Sequence, residues 1–175
     1  LWQGEVFPAF YHTDGGGPHV RDVWIVTRQG NVWTGPVLLT GASPFGWNLA
    51  PALSPDGSKV IFDAADSPFP STAIAEVGVD GTGFQVLVTV NDGPPPPFGP
   101  STATHSGSRA PDDSLVFEAE WVSGGGFSER IWRLPAGGGT PELVNGAFTN
   151  DNSPCVLPDG RIASLFLGAP PPNDG

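Results

Sequence analysis

The fold is decided by the stretch Leu49-Ala-Pro-Ala-Leu-Ser-Pro-Asp-Gly-Ser-Lys-Val-Ile-Phe-Asp63. Inside it, Ser54-Pro55-Asp56-Gly57 separates two short apolar runs. Pro presets φ at the first corner of a tight turn, Asp bonds the backbone two residues on, and Gly accepts the positive φ that closes a hairpin. The stretch therefore predicts two antiparallel strands and their turn.

Working outward, the pattern returns. A second copy reads Ser108-Arg-Ala-Pro-Asp-Asp-Ser-Leu-Val-Phe-Glu118, and a third reads Ser153-Pro-Cys-Val-Leu-Pro-Asp-Gly-Arg-Ile-Ala-Ser164. The Pro-Asp pairs start at Pro55, Pro111 and Pro158, separations of 56 and 47 residues, near the roughly 40–50 of a propeller blade. In the second copy Asp113 stands where Gly57 stands in the first. Asp is among the few other residues that tolerate a positive φ.

A second half-repeat follows the first two turns. Thr72–Val79 leads through Asp80-Gly81-Thr82-Gly83 to Phe84–Val90, and Glu129–Leu134 leads through Pro135-Ala-Gly-Gly-Gly139 to Thr140–Val144. Ahead of the first copy, Asp22–Thr27, Gln29-Gly30-Asn31 and Pro36–Thr40 read the same way, and Glu5–His12 reads as an earlier strand. Each complete unit has four strands, the content of one blade. The expected organisation is a partial blade over 1–41, blades over 42–92 and 98–147, and a partial blade over 148–175. Two full blades are fewer than the roughly four to eight that close a ring. The chain is thus expected to be part of a longer propeller, the alternative being a ring completed by separate chains.

The pattern apolar–Ser54-Pro55-Asp56-Gly57–Lys59–Val60-Ile61-Phe62, then strand–Asp80-Gly81–strand, resembles the WD-like Pro-Asp repeat of TolB-type propellers. The resemblance covers most of residues 22–167. It implies an all-β fold of antiparallel four-stranded blades, part of a six-bladed propeller. It also implies a periplasmic or extracellular setting in the bacterial envelope and a non-enzymatic role in binding other proteins; the long Pro-rich loops suit docking onto a larger assembly, a membrane-embedded one among the candidates. The rival expectation is the propeller of a prolyl-peptidase-like hydrolase or of a lyase that works at the propeller's channel.

Composition agrees with many turns and few helices. Gly (25) and Pro (21) are abundant, Lys occurs once, and charged residues make up 14%. Long solvated helices need more Glu, Lys and Arg on their outer face. The formal charge of −11 opposes binding to nucleic acid or an anionic membrane, since both need clustered cations. The single cysteine, Cys155, allows no internal disulfide. No apolar run is long enough to span a membrane.

No catalytic, cofactor or metal motif is visible. Gly-x-Ser-x-Gly and His-Glu-x-x-His are absent, and His12, His19 and His105 lie far apart in sequence. The runs Gly15–Gly17, Gly124–Gly126 and Gly137–Gly139 are expected to be hairpin turns, because no helix N-terminus stands behind them. Glu118 and Glu120, two apart on a strand, share a face and could act as paired carboxylates. The expectation is instead a solvated strand end, or partners for Arg130 or Arg133. Asp56, Asp112, Asp113 and Asp159 are assigned to turn chemistry, and Trp24, Trp33, Trp47, Trp121 and Trp132 to strands packed between blades. The candidate partner-binding residues are Pro94, Pro95, Pro96, Pro97 and Phe98. A stiff proline run loses little entropy on docking, and Phe98 beside it offers an aromatic anchor.

Overall fold

The computed structural model describes residues 21–67, 70–92, 101–123, 126–144 and 151–166. Among them are twelve strands and one short 3₁₀ turn, Thr40–Ala42. β1 (Trp24–Gln29) and β2 (Val32–Leu38) form a two-stranded sheet. β3 (Trp47–Leu53), β4 (Lys59–Ala65), β5 (Ala73–Gly78) and β6 (Gln85–Thr89) form a four-stranded antiparallel meander. β7 (Ala103–Arg109), β8 (Leu115–Ser123), β9 (Gly126–Leu134) and β10 (Glu142–Leu143) form a second. β11 (Asp151–Val156) and β12 (Ile162–Phe166) pair as the last two-stranded sheet.

The three Pro-Asp turns occupy equivalent places, joining β3 to β4, β7 to β8 and β11 to β12. Each Asp carboxylate accepts from the backbone two residues on: Asp56 from Ser58 N, Asp112 from Ser114 N, Asp159 from Arg161 N. The fourth turn position takes positive φ in all three, at Gly57 (73°), Asp113 (65°) and Gly160 (85°). One expectation is corrected. The strand expected over Pro36–Thr40 begins earlier, at Val32, directly after the Gly30 turn, and ends at Leu38. Pro36 falls at a register shift between Ile25–Val37 and Thr27–Thr34, and β1 is the one sheet neighbour of β2 among the described residues; a proline is tolerated at both a bulge and an edge.

Each meander uses its two faces against different neighbours. Phe62, Ala64, Ala73, Ala75 and Val77 face back onto Val23, Ile25 and Leu39 of the preceding sheet. Ile61, Ile74 and Val88 face forward, where Leu115, Phe117, Ala119, Trp121 and Trp132 of the next meander meet them. Phe62 and Phe117, one per blade, are 0% and 2% exposed. Burying such a ring stabilises by roughly 1.5–3 kcal/mol. The core is therefore the set of apolar layers between blades. Trp121 and Trp132 meet edge-on within one layer, with ring centroids 6.0 Å apart. Trp47 is buried under Arg21, whereas Trp33 is 45% exposed, so the expected packing between blades does not extend to it.

Candidate functional site

Among the described residues, the first strand of three successive blades carries a β-bulge. It lies between Leu49 and Ala52 in β3, His105 and Ser108 in β7, and Asn152 and Cys155 in β11. Each bulge holds a non-glycine residue at positive φ: Ala50 (45°), Ser106 (57°) and Ser153 (52°). This conformation is costly for a residue with a Cβ and needs support from its surroundings. In two cases the support comes from a carboxylate of the preceding blade. Asp63 Oδ1 accepts from Ser106 N at 2.9 Å, and Glu118 Oε2 accepts from Ser153 N at 2.8 Å. Asp63 follows Phe62 and Glu118 follows Phe117, so the two acids hold the same position in successive blades.

The blades are fastened elsewhere too. Thr104 N donates to Ser71 O and Asn48 N to Arg21 O, again at equivalent positions. Glu76, fully buried on β5, receives Lys59 from its own blade and Arg109 from the next, and Gln85 also donates to it. Burial pulls the Glu76 carboxyl upward, but those donors together hold it below the usual carboxylate range.

The second clasp sits in a cluster that the first lacks. Ladder pairing sets His105 opposite Glu118 and Glu120 opposite Glu129. His105 Nε2 lies 2.7 Å from Glu120 Oε1 and 3.5 Å from Glu118 Oε1. Asn152 of β11 donates to Glu129 Oε2 at 3.3 Å. Glu118, Glu120 and Glu129 are 0%, 6% and 7% exposed. Burial pushes the Glu118 carboxyl up to about 8; the Ser153 N–H pulls it down, while Glu129 and Glu120 push it further up. Burial likewise raises Asp63 to about 7, against the N–H groups of Ser106 and Gly107.

These positions correct the expectation of a solvated strand end at Glu118 and Glu120. The two do share a face, but that face turns to the next blade rather than to water. Arg133 is no partner of theirs; it bonds Asp112 and Ser114 at the turn. The cluster escaped the sequence because His105, Glu118, Glu129 and Asn152 come from four strands. A signal was present: a small residue followed by Pro or Gly stands five residues ahead of each Pro-Asp turn, as Ala50-Pro51, Ser106-Gly107 and Ser153-Pro154. It marks the bulge. Pro94, Pro95, Pro96, Pro97 and Phe98 lie outside the described residues, as do Glu5–His12 and Gly15–Gly17.

No protein-family model and no curated protein matches the sequence. Solved structures do match in fold. The crystal structure of TolB from Acinetobacter baumannii superposes with a TM-score of 0.61 at 17% identity, over 99% of this chain and 36% of that one. A protein described as TolB from Agrobacterium tumefaciens superposes with a TM-score of 0.58 at 18% identity, over 95% of this chain and 56% of that one. The chain thus has a TolB-like β-propeller fold, and it spans between about a third and just over half the length of these structures.

Proposed function

Starting from a TolB-like propeller fold, we propose that the chain is part of a non-enzymatic protein-interaction or scaffold module of the bacterial cell envelope. Its setting is periplasmic or extracellular, and its partner is another protein within a larger, membrane-associated assembly. One observation carries the reading. Successive blades are locked to each other by Asp63 on Ser106, Glu118 on Ser153 and Glu76 on Arg109, which makes a rigid support for the loops between strands. Rigid scaffolds that present loops are suited to docking. The proline run Pro94–Pro97 with Phe98 is the segment assigned to the partner.

The test is Phe98→Ala in the intact protein. Cross-linking in the envelope, followed by identification of the captured protein, should recover a defined partner with wild type and lose it with the variant, at unchanged Tm. Recovery of the same partner with both proteins removes Phe98 from the interface. A lowered Tm with undiminished recovery makes Phe98 a packing residue.

One observation favours a channel-centred lyase instead: His105, Glu118 and Glu120 converge. An acid–base pair must reach a substrate, however. The Glu118 and Glu120 side chains are 1% and 9% exposed, against 20% for His105, so the carboxylates are closed off. That burial favours a structural role for the cluster.

A further inference from the structure

We propose that His105, Glu118 and Glu120 bind one divalent transition-metal ion at the junction between the β7–β10 blade and β11. Their donor atoms all lie within 4.8 Å of one another. Bonds of about 2.0–2.2 Å to a shared ion set ligand atoms roughly 3–4 Å apart, so small rotamer shifts complete the site. The ladder between β7 and β8 places all three on paired strands, where their backbones are held in register. Ser153 N fixes one oxygen of Glu118 and leaves the other, Oε1, directed toward His105 Nε2 at 3.5 Å.

A second observation, independent of the clustering, points to a cation. Glu118 is fully buried, and its Oε1 has no hydrogen-bond partner. Asn152 Oδ1, beside Glu129, is also buried without a partner. Buried acceptors in native proteins are normally satisfied, and the orphaned Oε1 of Glu118, held 3.5 Å from His105 Nε2, asks for a positive centre. Arg109 is committed to Glu76 and Arg133 to Asp112. Glu129, opposite Glu120, adds a third buried carboxylate to the surroundings.

The donor set also chooses the ion. An imidazole with carboxylates suits Zn²⁺ or Mn²⁺, whereas Ca²⁺ takes oxygen ligands and a larger shell. His105 Nδ1 faces Ser106 Oγ at 3.4 Å, so a proton on Nδ1 leaves the Nε2 lone pair for the ion. The three ligands come from β7 and β8 of one blade, on the face that receives β11, where Ser153 N donates to Glu118.

The experiment titrates chelator-treated intact protein with Zn²⁺ and, separately, Ca²⁺ by calorimetry, and follows Tm. A Cys155→Ser background removes the exposed thiol as a competing zinc ligand. The expected result is one Zn²⁺ per chain, a raised Tm, and at least tenfold weaker Zn²⁺ binding in both His105→Gln and Glu120→Gln. His105→Gln is the milder variant, since that side chain is partly exposed, and its metal-free Tm reports whether it folds. Absence of stoichiometric Zn²⁺ binding overturns the proposal. So does binding that either variant leaves unchanged, or Ca²⁺ binding as tight as Zn²⁺ binding.

Discussion

Arg109 reaches across a blade boundary to Glu76, placing Nη2 2.8 Å and Nε 3.1 Å from the same carboxylate oxygen. The Arg109 side chain is 10% exposed and that of Glu76 is not exposed at all. Removing one partner of a buried pair leaves the other charge unsolvated, at about 3–5 kcal/mol. Lys59 and Gln85 remain on Glu76, so Arg109→Met is expected to cost roughly 3 kcal/mol, the lower end of that range. Glu76→Gln combined with Arg109→Met should cost less than Arg109→Met alone. Urea unfolding of the three proteins checks the order.

A pH prediction rests on Asp63. Its carboxyl is raised from 3.8 to about 7 by burial. The folded chain therefore keeps a proton that the unfolded chain has lost between those values. Stability falls as pH rises through that window, and this contribution is fully present only below about 4. Asp63→Asn keeps an oxygen for Ser106 N but cannot ionise. Its unfolding free energy should depend less on pH between 4 and 7, by an amount on the order of a few kcal/mol. An unchanged slope would rule out Asp63 as the source.

Gly107 is there for space. A Cβ at this position would meet Ile74 Cγ2 at 2.6 Å and Ile61 Cγ2 at 3.0 Å, both on the preceding blade. Alanine in place of a strand glycine ordinarily helps by lowering unfolded-chain entropy. Here Gly107→Ala should destabilise by about 1–3 kcal/mol through overpacking. Thermal unfolding decides between the two signs.

The turns offer a comparison within one molecule. Asp113 holds at 65° the φ that Gly57 holds at 73°. A left-handed residue with a Cβ costs about 1–2 kcal/mol. Asp113→Gly is expected to gain up to about 1 kcal/mol, since Asp is the better-tolerated case. Gly57→Ala should lose about the same. Matching signs in denaturant melts would contradict this account of the turn.

Much of the fold was legible because its signals are local. Pro55, Asp56 and Gly57 act on one another across a single turn, and alternation in Val60–Asp63 assigns the two strand faces without knowledge of the rest. The start of β2 was misplaced because Pro36 reads as a strand opening, whereas an edge strand can carry it internally. The candidate site was half legible. A spacing of two set Glu118 and Glu120 on one face, but whether a face meets water or another blade depends on residues tens of positions further along the chain. Ser153 and Asn152, which close that face, lie beyond β10. The fate of a carboxylate is set by dielectric surroundings, and those are not a property of its own strand.

The bulges at Ala50, Ser106 and Ser153 make the site portable. Each comes directly after a residue still paired in the ladder, Leu49, His105 or Asn152, so the position ahead of the bulge keeps its cross-strand partner. In the first full blade Leu49, Asp63 and Ala65 stand where His105, Glu118 and Glu120 stand in the second. Leu49→His with Ala65→Glu would therefore copy the donor set one blade earlier, Asp63 already supplying a buried carboxylate there. The repeat thus offers one backbone frame, a bulge set beside a buried carboxylate, in successive blades, and the side chains mounted on that frame differ from blade to blade.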